Sequence, residues 1–203
     1  IFTSDNGGLT QRYGKHEGFT ENLPLRRGKG SAYEGGVRVP TIIRWPGKSK
    51  PGTICTAPIM TIDYYPTMLE IAALEGNPNR NQAVDGRSLV ALLREPTAGW
   101  NRDLYWHYPH YHAGGDGPYS AIRSGDMRLI EFHEDQHREL YDLSKDLGEQ
   151  HDLARQLPEV VQALTAKLHQ WRTSLDAQMP TKNPDFDQSR QTEVRARRPN
   201  TRH

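Results

Sequence analysis

Hydrophobic positions in the second half of the chain form several short runs followed by one long helical stripe. The runs at 103–111, 120–133 and 138–143 are aromatic or alternate apolar with polar residues, and polar turns separate them. This pattern predicts an antiparallel meander with a hairpin turn at 124–126. From Pro158 the apolar positions advance by three or four residues, which predicts a helix laid across that sheet. Its apolar face consists of Val161, Leu164, Leu168, Trp171 and Leu175.

The first half of the chain alternates strand-like and helix-like runs. Residues 1–4 are typical of the end of a buried strand, and 37–47, rich in β-branched residues, predict a second short buried strand. Between them, residues 5–30 form a polar loop with many glycines, and a loop this long is usually functional.

Helix signals follow the second strand. Residues 61–76 predict a helix with Asp63 as its cap, Pro66 in its first turn and Gly76 after its end. A shorter helix is predicted within 84–95, after an Asp-Gly turn. These elements predict an α/β fold.

Three regions are predicted: the trailing part of an α/β sheet domain at 1–97, a small antiparallel sheet with a long C-terminal helix at 98–179, and a polar, basic tail at 180–203. The chain begins at Ile1 without a cap or turn, so we expect it to be the C-terminal part of a longer protein.

The composition of the chain limits the classes of binding partner that we expect. The 203 residues are 34% hydrophobic and 25% charged with a net charge of +1, which is typical of a soluble globular protein. No run approaches the ~20 apolar residues that span a bilayer, and no overall charge attracts nucleic acid. We therefore expect neither a membrane nor a nucleic-acid partner. The basic tail is interpreted as a solvated arm, since only Phe186 could stack on bases there.

Asp5 and Asn6 are the first candidates for chemistry. Both offer hard oxygen ligands, which Ca²⁺ and Mg²⁺ prefer, and they precede Gly7 and Gly8 at the predicted strand end. Strand ends of this kind are where open α/β sheets bind ligands. From the residues alone, a simple turn and a metal site both remain open.

Lys29 is the second candidate. It stands between Gly28 and Gly30, so its ammonium sits on a backbone that can approach a ligand closely, and a compact charge suits a tetrahedral oxyanion. A solvated loop lysine is the alternative.

Taken together, four motifs closely resemble the C-terminal part of the sulfatase family, the arylsulfatase-like branch of the alkaline-phosphatase superfamily. They are "TSDNGG", "NLPLRRGKGSAYEGGVRVP", "VDGRSL" and "LYDLSKDLGEQHDLA", in that order over roughly residues 1–180. The resemblance implies an alkaline-phosphatase-like sheet domain followed by the small sheet and helix. It also implies a protein that hydrolyses sulfate esters.

The resemblance assigns roles to these residues. Asp5 and Asn6 would bind a divalent cation, Ca²⁺ rather than Mg²⁺, and Lys29 would contact the sulfate group as a catalytic and substrate-binding residue. A formylglycine, made from Cys or Ser in a Cys/Ser-x-Pro-x-Arg motif, would be the nucleophile. Cys55 and Ser49 do not lie in such a motif, so the nucleophile is expected upstream and this chain alone is expected to be inactive. Cys55 is predicted to pack as a small hydrophobe.

Other polar residues have weaker assignments. Glu34 and Arg38 match the family motif, and we interpret them as supports of the lysine loop, behind the residues that touch the ligand. His110, in a histidine-rich stretch with His107 and His112, is a candidate sugar contact; a zinc site there is a weaker alternative. His133 and His137 are predicted to lie in a solvated turn.

The predicted function is therefore hydrolysis of sulfated carbohydrates, or of aryl sulfates, together with the missing N-terminal part of the same protein. Family habit places such proteins in the periplasm or outside the cell. A phosphatase or phosphonate hydrolase of the same superfamily and a noncatalytic binding module remain alternatives.

Overall fold

The computed structural model describes residues 1–10, 18–77, 79, 84–111 and 115–187. Its first part is a small mixed unit in which strand β1 pairs antiparallel with strand β2. The elements of this part are β1 (Phe2–Thr3), α1 (Glu34–Val37), β2 (Thr41–Ile42), a 3-10 turn (Thr61–Asp63), α2 (Tyr64–Ile71) and α3 (Val90–Arg94).

The second part is a four-stranded antiparallel sheet in the order β3-β4-β5-β6. Its strands are β3 (Leu104–Tyr108), β4 (Tyr119–Ser124), β5 (Met127–Phe132) and β6 (Arg138–Asp142). The predicted meander is confirmed, as is the hairpin between β4 and β5, where Gly125 takes a φ of 60° in a two-residue turn.

Helix α4 (Pro158–Ser174) covers one face of this sheet. Leu164 and Leu168 are buried against Ile122, Leu129 and Leu140, which come from β4, β5 and β6. The predicted apolar face is therefore correct over the helix itself. Leu175, the last position of the stripe, lies beyond the helix and is 54% exposed.

The opposite face of the sheet is covered by the first part of the chain. Ala32 and Tyr33 pack there against Tyr119, Ile130 and Tyr141, among other buried residues. The loop that carries Lys29 thus forms one side of a second hydrophobic core, on the face of the sheet opposite α4. The two parts of the chain therefore share an interface.

Three local predictions need correction. The strand predicted over 37–47 is only Thr41–Ile42, and Ile42 is largely exposed. Asp63 precedes α2, but its carboxylate does not cap that helix. The carboxylate is fully buried instead, where it accepts the N–H of Met60 at 2.7 Å and pairs with the Arg102 guanidinium. It can stay buried because that cation neutralises its charge.

Cys55 was predicted to be packed and is exposed instead, with its Sγ donating to the Pro96 carbonyl at 3.4 Å. The apolar neighbours in sequence do not enclose it, since Ile54 is 86% exposed. Within the described residues, no helix is both long and apolar enough to cross a membrane. The tail from 188 onward lies outside the described residues.

Candidate active site

Two loops that are distant in sequence are hydrogen-bonded side by side at the end of β1. The Lys29 N–H donates to the Gly8 carbonyl at 3.0 Å, and the Gly7 N–H donates to the Gly36 carbonyl at 2.9 Å. The segment that carries Asp5 and Asn6 therefore lies directly against the segment that carries Lys29. The two candidate groups identified in the sequence are therefore carried by adjacent backbone segments.

Glycines allow this close approach. A Cβ atom placed on Gly7 would lie 1.7 Å from the Gly35 carbonyl oxygen, and one on Gly28 would lie 2.3 Å from the Gly8 carbonyl oxygen. Real Cβ atoms do not tolerate such distances, so a residue with a side chain would push the two loops apart. The paired glycines of both motifs thus have a packing role.

Asn22 joins the same two loops from the side. Its Nδ2 lies 3.2 Å from the Gly8 carbonyl and 3.1 Å from each of the Arg27 and Gly35 carbonyls. Gly8 belongs to one loop and Arg27 and Gly35 belong to the other, so this amide, with two N–H donors for three carbonyls, links the two loops. We did not predict this residue, because an asparagine in a polar loop carries no sequence signal of its own.

The side chains proposed to bind ligand are accessible. Asp5 and Lys29 are exposed and Asn6 is half-buried. The Asn6 amide nitrogen donates to the Gly7 carbonyl at 3.1 Å, which orients the side chain and leaves Oδ1 as its ligand atom. Two adjacent oxygen donors on a glycine-supported turn fit a hard cation, although they supply only part of a coordination shell.

An open cavity of about 500 Å³ lies beside this turn. Asn6, Gly7, Gly8, Asn22 and Arg38 are among its lining residues. The positive charge among these lining residues is the Arg38 guanidinium, and Lys29 is not one of them.

Glu34 and Arg38 belong to a charged network beneath the lysine loop. Glu34 is 2% exposed and pairs with the fully buried Arg128, while Arg38 reaches its other carboxylate oxygen at 3.4 Å. Arg128 also donates to the Ala32 carbonyl at 2.6 Å. Strand β5 thereby holds the loop from below, and Glu149 of the second part adds a bond to the Glu34 N–H at 2.6 Å.

The loop between β3 and β4 reaches the lysine segment through one acid. Asp116 pairs with Arg27 and accepts the Ala32 N–H at 2.9 Å. His110 begins the same loop and is exposed, with its ring 5.6 Å from that of Tyr108. His112 lies outside the described residues, within which no cluster of three or more metal-binding side chains occurs.

A separate polar cluster lies on the α4 side of the sheet. The buried Ser120 hydroxyl is 2.8 Å from His107 Nδ1 and 2.9 Å from His133 Nε2. His133 is 8% exposed, so its predicted place in a solvated turn is wrong. Burial, reinforced by the charge of Arg172, lowers the pKa of His133 to about 4. This cluster does not contact the paired loops and is a structural part of the sheet.

Comparison with known proteins identifies the chain. A family model described as the C-terminal part of N-sulphoglucosamine sulphohydrolase matches residues 28–174. The chain belongs to this sulfatase family. The match contains Lys29, Glu34, Arg38 and the sheet with α4, whereas Asp5 and Asn6 precede it.

Individual relatives agree with this assignment. The chain is 39% identical to a sulfatase from Formosa agariphila over 84% of this chain and 32% of that protein. It is 36% identical to human arylsulfatase A over 87% of this chain and 38% of the relative. This sulfatase chain therefore spans about a third of the length of these relatives.

Solved structures share its fold. A protein in complex with its substrate D-glucosamine-2-N,6-O-disulfate is 26% identical and superposes with a TM-score of 0.62 over 74% of this chain and 31% of that one. A phosphonate monoester hydrolase from Silicibacter pomeroyi is 27% identical, with a TM-score of 0.57 over 72% and 31%. The sulfatase neighbours confirm the predicted fold class, with its antiparallel sheet and C-terminal helix.

Proposed function

We propose that the protein containing this chain hydrolyses sulfate esters, and that carbohydrate sulfates are its substrates ahead of small aryl sulfates. The observation that carries this proposal is the hydrogen-bonded union of the Asp5–Asn6 turn with the Lys29 segment. That union brings the backbone of the proposed cation ligands next to the backbone that carries Lys29, which supports a shared oxyanion site in a sulfatase.

Each residue has a proposed role. Asp5 and Asn6 would hold Ca²⁺, or less readily Mg²⁺, and such a cation stabilises charge on sulfate oxygens as a Lewis acid. The Lys29 ammonium would bind a sulfate oxygen and offset the charge that develops during cleavage. Charges that are held in place before reaction would need no reorganisation in the transition state.

The remaining chemistry is assigned to the N-terminal part of the same protein. Calcium takes about six to eight oxygen ligands, of which Asp5 and Asn6 would supply two side chains. The formylglycine nucleophile would also come from there, since no Cys/Ser-x-Pro-x-Arg motif occurs in this sequence. The chain by itself is therefore expected to be inactive.

An exposed apolar face supports this partnership. Several large hydrophobic side chains of β1, β2, α2 and the loop before α2 are 42% to 86% exposed. Exposed large hydrophobic side chains that lie together usually mark an interaction surface. We propose that the rest of the sulfatase sheet domain covers this face. The members of this face are Ile1, Phe2, Ile42, Ile54, Ile62, Tyr65 and Met68.

Carbohydrate recognition is assigned to the β3–β4 loop. His110 is exposed, and Asp116, which precedes strand β4, contacts the lysine segment; we propose that the His110 imidazole contacts the sugar. The substrate named for the glucosamine-disulfate complex is a sulfated sugar, which supports the same substrate class here. As in the family generally, a periplasmic or secreted location is proposed.

The decisive test is an assay of the full-length protein on sulfated monosaccharides, sulfated oligosaccharides and an aryl sulfate. We expect turnover of sulfated sugars, and Lys29→Ala and Asp5→Ala should each lower kcat/KM by at least about 100-fold, the usual scale for loss of a charge-stabilising group. Lys48→Ala, another exposed loop lysine, is the matched control and should retain wild-type turnover. Unchanged turnover in Lys29→Ala would contradict the assignment.

One alternative has a specific observation behind it. The structural similarity to a phosphonate monoester hydrolase shows that this fold is compatible with a different ester, because a cation and a lysine recognise both phosphoryl and sulfuryl oxygens. A phosphonate monoester in the same assay separates the two functions. A higher kcat/KM on the phosphonate than on every sulfate would replace the sulfatase proposal.

A further inference from the structure

Glu149 is a buried acid with an unusual backbone beneath the lysine loop. It is fully buried and takes a φ of 51°, the left-handed region that residues with a side chain rarely adopt. Backbone strain of this kind persists only where surrounding contacts hold it, and it concentrates at functional sites. The turn after β6 therefore presents this carboxylate at a defined position.

Glu149 contacts both ends of the segment that carries Lys29. Its backbone carbonyl accepts a hydrogen bond from Arg26 Nη1 at 2.9 Å, and its carboxylate accepts the Glu34 N–H at 2.6 Å. The segment between these two ends is closed by a bond from the Gly35 N–H to the Arg26 carbonyl at 3.1 Å. Lys29 thus lies in a loop whose two ends are both held by Glu149, which is 115 positions away from Glu34 in the sequence.

The charges around Glu149 make its carboxylate responsive to pH. Arg128 of β5 lies 3.6 Å from its Oε1, and the carboxylate of Glu34 and the guanidinium of Arg26 face it from α1 and the lysine loop. Burial raises the pKa of Glu149 to about 7, with the Glu34 charge adding to this effect and Arg128 opposing it. Oε1 has no hydrogen-bond partner within the described residues.

We propose that Glu149, supported by Arg128, is the positioning residue for Lys29, and that it fixes the 26–34 loop on the C-terminal sheet. Glu149 acts through the loop and does not touch substrate. This inference rests on the proposed function of Lys29 for its catalytic meaning, whereas the positioning itself is a property of the fold.

The first test measures backbone protection in the full-length protein by hydrogen–deuterium exchange. At pH 6 we expect Glu149→Ala to increase exchange of a peptide covering 29–36 by about tenfold, because the Glu34 N–H loses its acceptor. Peptides of α4 should stay protected. Glu149→Gln keeps an oxygen acceptor and should restore protection, and Glu159→Ala, at an exposed acid, is the control. Wild-type exchange at 29–36 in Glu149→Ala overturns the proposal.

The pH dependence gives a readout that simple loss of packing would not. Since the pKa of Glu149 is raised in the folded loop, its contribution to closure is present at low pH and is lost as pH rises through about 7. With an open-state pKa of 4.5, the protection factor of 29–36 should fall about tenfold between pH 6 and pH 8. Glu149→Gln should show no such fall; the same fall in Glu149→Gln overturns the assignment, even if Glu149→Ala unfolds.

Steady-state kinetics separate this inference from the proposed function. If Glu149 acts through Lys29, Glu149→Ala should lower kcat/KM in the wild-type background and have little further effect in a Lys29→Ala background. Full additivity of the two changes overturns the coupling. An unaffected Lys29→Ala variant would instead contradict the sulfatase assignment, while the exchange measurements would still decide the positioning role.

Discussion

Gly7 lies so close to α1 that no side chain fits between them. The hydrogen bond from its N–H to Gly36 and the 1.7 Å approach that a Cβ would make to Gly35 describe one tight contact between two loops. Single residues of this kind set the distance between the Asp5–Asn6 turn and the Lys29 segment. At this scale the site depends on backbone proximity more than on side-chain contacts.

We predict that Gly7→Ala opens this contact. The added methyl should cost about 1–3 kcal/mol of unfolding free energy, the usual cost of overpacking. At Gly99, which has an ordinary φ, no described atom lies within 4 Å of the position that a methyl group would take. Gly99→Ala is therefore the matched control and should change stability by less than about 0.5 kcal/mol. Urea denaturation of the three proteins measures both effects, and equal stability of Gly7→Ala and wild type would contradict the contact.

The polar cluster on the α4 side predicts how stability depends on pH. His133 has a lowered pKa of about 4, so its contribution is present above its unfolded pKa and is lost as pH falls toward 4. Burial opposes ionisation of Glu131, yet bonds from His169 and Arg138 and the charge of Arg172 lower its pKa to about 2. Its contribution is lost at still lower pH.

We therefore expect His133 to destabilise the fold on acidification between about pH 6.5 and 4, where Glu149 acts in the opposite direction, and Glu131 to destabilise it below about pH 4.5. The His133 stage is measured as the difference between wild type and His133→Gln. His133→Gln should remove the first stage and leave the second. Denaturant titrations at half-unit pH intervals test this. Identical pH profiles for His133→Gln and wild type would show that His133 does not titrate as its burial implies.

At the scale of elements, the sheet is a two-sided layer. Helix α4 covers one face, and the lysine loop with α1 covers the other. Because the strands are buried from both sides, an element that supports the site is also part of the hydrophobic core. Stability of the sheet and geometry of the site are therefore linked through β5, which contributes Arg128.

Leu168 is the expected centre of the α4 interface. It is fully buried, so Leu168→Ala should lower the unfolding free energy by about 2–5 kcal/mol through lost burial and the cavity left behind. Leu175→Ala, at the exposed end of the same apolar stripe, should cost less than about 0.5 kcal/mol. Thermal unfolding followed by circular dichroism compares the two variants. Similar losses of stability would show that Leu168 is not the centre of this interface.

At the scale of the whole molecule, the exposed hydrophobic side chains of the first part of the chain are the feature that bears on association. Phe2 and Ile42 pair across β1 and β2, and both are 64% exposed. With the chain spanning about a third of its relatives, this face is the proposed contact with the remaining two thirds of a sulfatase.

We predict that the isolated chain binds a hydrophobic dye at this face. Phe2→Ser should reduce dye fluorescence and also weaken association with a separately produced N-terminal part. Phe186→Ser, at a similarly exposed phenylalanine outside the face, should change neither. Pull-down and fluorescence titration provide the two readouts. Undiminished association of Phe2→Ser would remove β1 from the proposed contact.

Sequence reasoning succeeded where structure is local. The β4–β5 hairpin and the α4 stripe follow from period and turn chemistry over a few residues. It failed at α1, because Glu-Gly-Gly-Val has poor helix propensity and the segment is held by the distant bond from Gly7. No role was predicted for Glu149 or Asn22, although both lie in the quoted motifs, because a motif does not show which distant or backbone groups a side chain will contact. Asp5, Asn6 and Lys29 were found as motifs, and only the fold showed that their loops touch.

The two-sided burial of the sheet also limits protein engineering. A chimera that exchanged the C-terminal region of one sulfatase for that of another would break the bonds from Tyr33 to Glu139 and from Arg26 to Tyr141. A graft that moves the lysine loop together with the sheet keeps these bonds within one module. The fusion point of such a chimera should therefore lie before Asn22. This is well upstream of the boundary near residue 97 that the element pattern of the sequence predicts.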